Sequence, residues 1–373
     1  MPIFISLLVA FFSLWTPKSL ASEFLTGANL IDWECAHGTC LYGHDLGTND
    51  WARIHMSMHG YRSESTFRKT MWIKMLDDLK SIGANFARIP GMTEGQGILW
   101  NDWRPGVTDS IRGIDPVWMK NIRFLLNEAH KRGIQVQISL LTGNTPRSEG
   151  DLYNFYHGKN QIILNAENRR SYFEKIVGPF FDAFGNHPAL VHVDLFGEAN
   201  GAISEGKGSI LESDVRRFIR EQTAYIRARF PSLRVALTAS FGYYPTPFGL
   251  YIIAGNTGLD FYQIHLYEEN GMIEHCDSWK TMDLPVMLGE FGSPSPRNGD
   301  SEAGLLSRAH QARITANFLS RARTCGLMGA APWAMDPGPG NTERDRFNNP
   351  YDNQGKLKPE ITKLLSNSAR NGK

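Results

Sequence analysis

The sequence predicts a single α/β domain folded as a closed (β/α)8 (TIM) barrel. Short, nearly continuous apolar runs alternate along the chain with amphipathic segments of helical spacing, and eight such runs can be counted. The chain contains no internal repeat, no low-complexity tract and no linker rich in proline, glycine or serine that would divide it. Apolar strands that alternate with helices form a parallel sheet with both faces covered, so eight units favour a closed barrel.

The elements follow one another in a cycle, in which a helix ends near glycine or proline and an apolar strand follows. Pro116 lies just inside the start of the second predicted helix, Gly133 follows its end, and Pro231 stops the fourth. The predicted strands are Ala28–Trp33, Asn85–Pro90, Ile134–Leu141, Ala189–Phe196, Leu233–Ser240, Leu259–Tyr267, Pro285–Phe291 and Gly326–Trp333. The predicted helices are Thr66–Ser81, Asp115–Lys131, Arg169–Phe184, Ser213–Phe230, Glu302–Thr324 and one that begins at Glu360.

Length and composition agree with this fold class. The 373 residues are 42% hydrophobic and 21% charged, which is ordinary for a globular protein and excludes wholesale disorder. A chain of this length could hold two or three domains, but α/β barrels commonly fill it as one. The formal net charge is +1, without the basic surplus typical of nucleic-acid binding, so we expect no nucleic-acid partner.

The N-terminus is predicted to be an export signal. An apolar run from Ile3 to Trp15 is too short to span a bilayer, and Ser19-Leu20-Ala21 places small residues where a signal peptidase inspects them. We expect cleavage after Ala21, a barrel over residues 22–373, and a secreted or periplasmic protein that has no membrane contact after cleavage. The alternative is an uncleaved membrane anchor.

Export makes disulfides the default state of the four cysteines, and four cysteines allow three pairings. Cys35 and Cys40 are close enough in sequence for a short loop-closing bridge, which leaves Cys276 to pair with Cys325. The alternative for the first pair is a zinc site with nearby histidines, but the spacing matches no familiar zinc pattern, and we expect no metal. These histidines are His37, His44 and His55.

Two glutamates stand at the ends of predicted strands, where the chemistry of such barrels is found. Glu198 follows the fourth apolar run and Glu290 ends the seventh. Their separation of 92 residues, about three βα units, would place them across the mouth of the barrel. Either one alone could be a salt-bridged barrel residue. A facing pair is what glycoside hydrolysis needs, one carboxyl group as the acid and one carboxylate as the nucleophile.

Several segments carry a resemblance to a known family. The sequence is similar to the clan A glycoside hydrolases and most resembles family 5, the cellulases and mannanases. The segments that carry the resemblance are NFARIPG, GNHPALVHVDLFGEANG, IHLY, PVMLGEFG and AAPWAM, in strand order. The resemblance implies that Glu198 is the general acid and then the general base, and that Glu290 is the nucleophile.

The resemblance also implies supporting roles at other strand ends. Tyr267 would hydrogen-bond the nucleophile, Arg88 would add positive charge beside it, and His265 would orient the acid or contact sugar. Trp333 would form the floor of the −1 subsite. Three of these residues have an alternative: Arg88 could pair only with barrel carboxylates, His265 could be a core histidine, and Trp333 could only pack.

The sequence departs from the family pattern at two places. Gly197 stands where the family has an asparagine that touches the sugar 2-hydroxyl, and Leu140–Gly143 lacks the family's histidine after the third strand. We expect a neighbouring amide to replace the missing donor. The candidates are Asn200 and Asn144.

The sequence therefore predicts a monomeric retaining glycoside hydrolase, without a cofactor, that acts on a β-linked polysaccharide or oligosaccharide as its carbohydrate substrate. Its two carboxyl groups should lie about 5–5.5 Å apart, the spacing of retaining enzymes. The alternatives are a carbohydrate-binding barrel that has lost turnover and a transglycosylase that remodels glycans with the same two glutamates.

Overall fold

The structure is a computed structural model. It describes residues 23–31, 67–92, 97–100, 111–143, 160–203, 209–242, 246–267, 274–292, 308–335, 350–352 and 354–370. The predicted signal segment and the proposed Cys35–Cys40 bridge lie outside these residues, as does Asn144.

The described residues form one barrel sheet and one small hairpin. All strand pairs in the barrel sheet are parallel, and the spatial order is β7-β6-β5-β2-β1-β11-β10-β9-β8. The strands are β1 (Leu25–Asn29), β2 (Phe86–Ile89), β3 (Ile98–Trp100), β4 (Ile111–Ile114), β5 (Gln135–Ser139), β6 (Leu190–Asp194), β7 (Ala236–Thr238), β8 (Ser240–Phe241), β9 (Tyr262–Leu266), β10 (Val286–Phe291) and β11 (Gly329–Pro332).

The sheet closes on itself through β7 and β8, which together form its fifth strand position. β7 pairs with β6 and β8 pairs with β9, while Ala239 alone separates β7 from β8 along the chain. The nine segments of the sheet therefore occupy eight strand positions. The predicted (β/α)8 barrel is confirmed.

The helices lie between successive strands, largely as predicted. Asp115 caps the second helix by accepting a hydrogen bond from Val117 N–H at 2.8 Å, and Gly133 ends it with a left-handed φ of 69°. The helices are α1 (Lys69–Ser81), α2 (Pro116–Arg132), α3 (Gln161–Leu164), α4 (Ala166–Tyr172), α5 (Gly178–Phe184), α6 (Glu212–Arg229), α7 (Pro247–Ala254), α8 (Cys276–Lys280), α9 (Arg308–Thr324) and α10 (Pro359–Arg370); a π-helical turn, Phe173–Val177, joins α4 to α5.

The structure differs from the prediction at the first strand, in the connection after β2, and in three short helices that were not predicted, α3, α7 and α8. The first strand is Leu25–Asn29, which starts three residues before the predicted Ala28. All five of its residues are buried between β2 and β11, but the LTGAN sequence has too few large apolar side chains to predict a strand. The antiparallel β3–β4 hairpin was not predicted, because it lies in the polar connection that follows β2.

The interior of the barrel is divided into an apolar half and a polar half. Buried apolar side chains from the strand starts form a separate core cluster: Leu25, Phe86, Ala236, Phe261, Met287, Met328 and Ala331. Buried polar side chains lie further along the strands, toward their carboxyl ends: Asn29, Arg88, Gln137, Ser139, Asp194, Ser240, Gln263, His265 and Glu290. The polar half is therefore the place to look for chemistry.

A disulfide joins Cys276 to Cys325, as predicted. Their Cα atoms are 4.8 Å apart, well inside the range that a disulfide spans. Cys276 begins α8 and Cys325 follows α9, so the bridge ties the segment before β10 to the segment before β11.

Among the helices that the structure describes, none is both long and apolar enough to cross a bilayer.

We expect the paired substitution Cys276→Ala and Cys325→Ala to lower the free energy of unfolding by about 4 kcal/mol, because the bridge restricts the unfolded chain across 49 positions. Urea unfolding monitored by circular dichroism measures this change. The reduced wild-type protein should match the double variant. A loss below about 1 kcal/mol would contradict the chain-entropy account of the bridge.

Candidate active site

Glu198 is held just beyond the end of β6 by an unusual backbone conformation. Its φ of 47° and ψ of 46° lie in the left-handed region, which a residue with a side chain rarely adopts. Its N–H donates to Ser240 Oγ at 3.0 Å, and the turn Ala199–Ala202 follows directly. Such conformations cluster at functional sites, where neighbouring contacts maintain them. The side chain is 28% exposed at the barrel mouth.

The loop after β8 leaves room for the Glu198 carboxylate. A Cβ atom at Gly242 would lie 2.6 Å from Glu198 Oε1, so only glycine fits there without a shift. The Asn200 side chain fixes this loop, because Asn200 Nδ2 donates to the Gly242 carbonyl at 2.7 Å and Gly242 N–H donates to Asn200 Oδ1 at 3.0 Å. The role predicted for Asn200 toward a sugar hydroxyl stays a prediction, and these contacts give it a second one.

Glu290 lies within β10 and is aimed by an irregularity in the strand. Leu288 pairs with Ile264 and Glu290 pairs with His265, so Gly289 is an extra residue in the register. Glu290 Oε2 accepts a hydrogen bond from the Tyr267 hydroxyl at 2.7 Å. Tyr267 therefore contacts the carboxylate that it was predicted to support.

Arg88 joins Glu290 to a second buried carboxylate. Its Nη1 donates to Glu290 Oε1 and, at 2.8 Å, to Asn29 Oδ1. Its Nη2 donates to Asp194 Oδ2 at 3.1 Å and to Ser139 Oγ at 3.2 Å. Burial alone would lower the pKa of Arg88, but the charges of the two carboxylates outweigh it and raise that pKa. Arg88 thus remains a fixed positive charge beside Glu290.

Asp194 is a member of the site that sequence reasoning missed. The side chain is fully buried, and its Oδ2 also accepts hydrogen bonds from Ser139 Oγ at 3.0 Å and from Ser240 Oγ at 2.9 Å. Ser240 N–H donates to its Oδ1 at 3.2 Å. Asp194 therefore anchors both Arg88 and the serine that holds the Glu198 backbone. The sequence signal that could have identified Asp194 is an acidic residue inside an apolar run, four positions before Glu198.

His265 lies between the two glutamates. Its Nδ1 is 3.0 Å from Glu198 Oε1 and 3.4 Å from Glu290 Oε2. Burial lowers the pKa of His265 to about 4, although the charge of Glu290 opposes that shift. The ring is therefore neutral near pH 7. It is a buried histidine in contact with both glutamates, and its role toward the acid or the sugar stays a prediction.

The environments of the two glutamates differ in the way that acid and nucleophile roles require. Burial raises the pKa of Glu198, and the charge of Arg88 offsets this rise only in part. Glu290 instead accepts hydrogen bonds from a guanidinium and a hydroxyl. Glu198 therefore has the raised pKa that suits a proton donor, and Glu290 has the donors that would orient a nucleophilic carboxylate.

In the part of the chain that the structure describes, one group of side chains could ligate a metal ion. It consists of Glu198, His265 and Glu290, with one ligand atom from each lying within 4.8 Å of the others. The buried positive charge of Arg88 beside Glu290 opposes a second cation there. We interpret the two glutamates of this group as a carboxylate pair with His265 Nδ1 between them.

The remaining predicted positions lie at neighbouring strand ends. Trp333 is half-buried directly after β11, its N–H donates to the Phe291 carbonyl at 2.8 Å, and its peptide bond to the following residue is cis. This contact places its backbone next to the strand that carries Glu290. Thr142 and Gly197 form a parallel bridge, so the two departures from the family pattern are adjacent in space.

Solved structures resemble this chain over nearly its whole length. A β-mannanase from the blue mussel Mytilus edulis is 19% identical, with 93% of this chain and 92% of that chain aligned and a TM-score of 0.58. An endo-1,4-β-mannanase from Rhizomucor miehei is 13% identical, with 94% of each chain aligned and a TM-score of 0.60. An exo-β-1,4-mannosidase from an Opitutaceae bacterium, strain TAV5, is 17% identical, with 93% of this chain and 59% of that chain aligned and a TM-score of 0.61.

These likenesses settle the fold. The chain is a (β/α)8 barrel. At such low identities the structural similarity establishes the fold alone. The resemblance seen in the sequence motifs is therefore confirmed for the fold. No protein-family model matches the sequence, and no curated protein sequence does.

Proposed function

We propose that this protein is a retaining glycoside hydrolase that cleaves β-linked polysaccharides or oligosaccharides. The observation that carries the proposal is the carboxylate pair at the carboxyl ends of β6 and β10, joined through His265. A carboxylate oxygen of Glu198 and one of Glu290 lie within 4.8 Å of each other. Two oxygens this close are compatible with the separation of about 5–5.5 Å between the carboxyl groups of retaining enzymes, whereas inverting enzymes hold theirs about 6.5–9.5 Å apart.

The reaction would proceed by two displacements. Glu290 attacks the anomeric carbon and forms an ester bond, while the glycosidic C–O bond breaks and the leaving oxygen takes the proton of Glu198. Glu198, now ionised, accepts a proton from water, and the water oxygen attacks the anomeric carbon and releases Glu290 as a carboxylate. Glu198 is protonated again, so the cycle returns the site to its first state.

The remaining contacts support each step. Arg88 and Tyr267 keep the Glu290 carboxylate oriented, and they also stabilise it when it leaves the ester. The raised pKa of Glu198 favours its protonated form, which the first displacement requires. None of these steps requires a cofactor.

The names of the structural neighbours indicate which substrate to test first. The similar structures include two β-mannanases and an exo-β-1,4-mannosidase by their names, so β-1,4-linked mannan is the first polysaccharide to test. We further propose that residues 1–21 direct export, and that the remainder acts as a monomer on extracellular or periplasmic carbohydrate.

A panel of β-linked polysaccharides, β-mannan first, should yield shorter oligosaccharides, and proton NMR should show the β-anomer as the first product. Release of the α-anomer first would contradict double displacement. Product sizing distinguishes hydrolysis from transfer, because a transglycosylase would produce chains longer than its substrate. Binding without any cleavage would favour the carbohydrate-binding barrel.

A further inference from the structure

A chain of hydrogen bonds runs through the barrel interior to the proposed acid. Gln137 Nε2 donates to Gln263 Oε1 at 2.6 Å, and Gln263 Nε2 lies 3.2 Å from His265 Nε2. The other ring nitrogen, His265 Nδ1, is 3.0 Å from Glu198 Oε1. Gln137, Gln263 and His265 are all buried, so this chain is shielded from water.

The donors and acceptors along this series of hydrogen bonds determine which imidazole nitrogen carries the hydrogen. His265 Nδ1 faces Oε1 of Glu198 and Oε2 of Glu290. Glu290 accepts hydrogen bonds on both of its oxygens, so its Oε2 is an acceptor even when Glu198 is protonated. Nδ1 must therefore carry the hydrogen, and in a neutral ring Nε2 must then be an acceptor. Gln263 supplies the matching donor, because its Oε1 is already occupied by Gln137 and its amide nitrogen faces the ring.

The strand that carries the proposed nucleophile is shaped around this glutamine. A Cβ atom at Gly289 would lie 2.2 Å from Gln263 Cδ and 2.3 Å from Gln263 Nε2. Only glycine fits there while Gln263 keeps its position. Gly289 is also the extra residue that aligns Glu290 with His265, so the same irregularity makes room for Gln263 and sets the nucleophile.

We propose that Gln263 is a positioning residue whose carboxamide holds His265 neutral with the ring hydrogen on Nδ1, which confines the transferable proton of Glu198 to Oε2. Oε1 of that carboxyl group is occupied by the ring N–H, so a proton there would meet another hydrogen. The inference rests on the proposed function, because it concerns the proton that Glu198 would deliver. An amide suits this role since it donates without being able to take up a proton.

The variant Gln263→Glu tests the role by replacing the donor with a carboxylate, which can only accept from the ring. We expect His265 to become an imidazolium, with hydrogens on both nitrogens. The positive ring would lower the pKa of Glu198, because an adjacent positive charge favours the ionised form. The alkaline limb of the kcat/KM profile, which follows loss of the acid proton, should then move to lower pH by about one unit.

Other charged groups also act on this ring and remain in place in the variant. They are Asp194 on β6, Glu198 just beyond that strand, Glu290 on β10 and Arg88 on β2. The variant Gln263→Met is the matched control, since it removes the donor without adding charge. It should lower the rate for substrates with poor leaving groups by about tenfold, which is less than the roughly 10²–10⁴-fold that general acid catalysis contributes in full, and leave the alkaline limb unmoved.

The ring itself can be observed without substrate by nitrogen NMR of protein labelled at histidine. The wild-type protein should show an unprotonated, pyridine-type Nε2 and a protonated Nδ1 for His265, and Gln263→Glu should show both nitrogens protonated. His192 is the internal control: it is buried between Phe86 and Phe261 in the apolar half, and its signals should not change.

A hydrogen on Nε2 of His265 in the wild-type protein would overturn the proposal, whatever the variants do. A folded Gln263→Glu protein with an unmoved alkaline limb would also overturn it, because a merely structural glutamine predicts that result. If the wild-type protein cleaves no glycoside at all, the proposed function fails. The NMR measurement then still decides where the ring hydrogen lies.

Discussion

Glu290→Ala is expected to abolish glycoside hydrolysis, with kcat/KM falling by roughly 10⁴-fold or more, because the covalent intermediate cannot form without its nucleophile. The fold should survive, since Arg88 keeps its ion pair with Asp194 when Glu290 is removed. Initial rates on an activated aryl β-glycoside measure the loss, and thermal unfolding measures the fold.

The matched control is Glu174→Gln, which removes a carboxylate from an exposed ion pair with Arg170 on the outer surface. Exposed pairs of this kind contribute little to stability because solvent screens them, so activity and melting temperature should both stay near the wild-type values. If Glu290→Ala retains near wild-type turnover, Glu290 is not the nucleophile.

The companion variant, Glu198→Gln, separates the two carboxyl roles. Substrates with poor leaving groups need protonation and should become roughly 10²–10⁴-fold slower, while activated aryl glycosides should still form the intermediate. Azide should then partly restore turnover on the activated substrates and produce a β-glycosyl azide, since it attacks without a general base. The alkaline limb of the wild-type pH profile, which reports the proton on Glu198, should be missing. Azide rescue of Glu290→Ala but not of Glu198→Gln would reverse the assignment.

The fold and both glutamates could be predicted because they rest on local sequence signals. Each barrel strand except the first is an apolar run between a helix and a turn residue, and the βα alternation fixes the strand direction. Once the direction is known, the residues that end the strands must meet at one mouth, which brings Glu198 and Glu290 together. β1 was misplaced because burial between two other strands, rather than large apolar side chains, makes LTGAN a strand.

The interior contacts that support these glutamates could not be predicted from the sequence. Gln137 and Gln263 are 126 positions apart and meet only because the barrel closes. Asp194 stands inside an apolar run, where its charge gives no hint that Arg88 crosses the barrel to meet it. Gly289 resembles any other strand glycine until the register shift and the nearby glutamine are seen together. Contacts between distant strands depend on closure and register, which local periodicity does not encode.

Arg88→Met is expected to cost about 3–5 kcal/mol of unfolding free energy as well as nearly all activity. The arginine is the positive partner of two buried carboxylates, on Asp194 and Glu290, and removing one side of a buried ion pair leaves uncompensated charge. Urea unfolding at neutral pH measures the stability loss. Protonation removes the charge of a carboxyl group, so the deficit should shrink as the pH is lowered toward about 4.

The double variant Arg88→Met with Asp194→Asn distinguishes the two roles of the arginine. Neutralising Asp194 removes one uncompensated charge and should recover part of the lost stability, while Glu290 keeps the hydroxyl of Tyr267. Activity should not return, because the positive charge beside the nucleophile is still missing. If activity recovers together with stability, Arg88 only balances charge in the barrel interior, and the stabilisation of Glu290 as a leaving carboxylate must come from Tyr267 and His265.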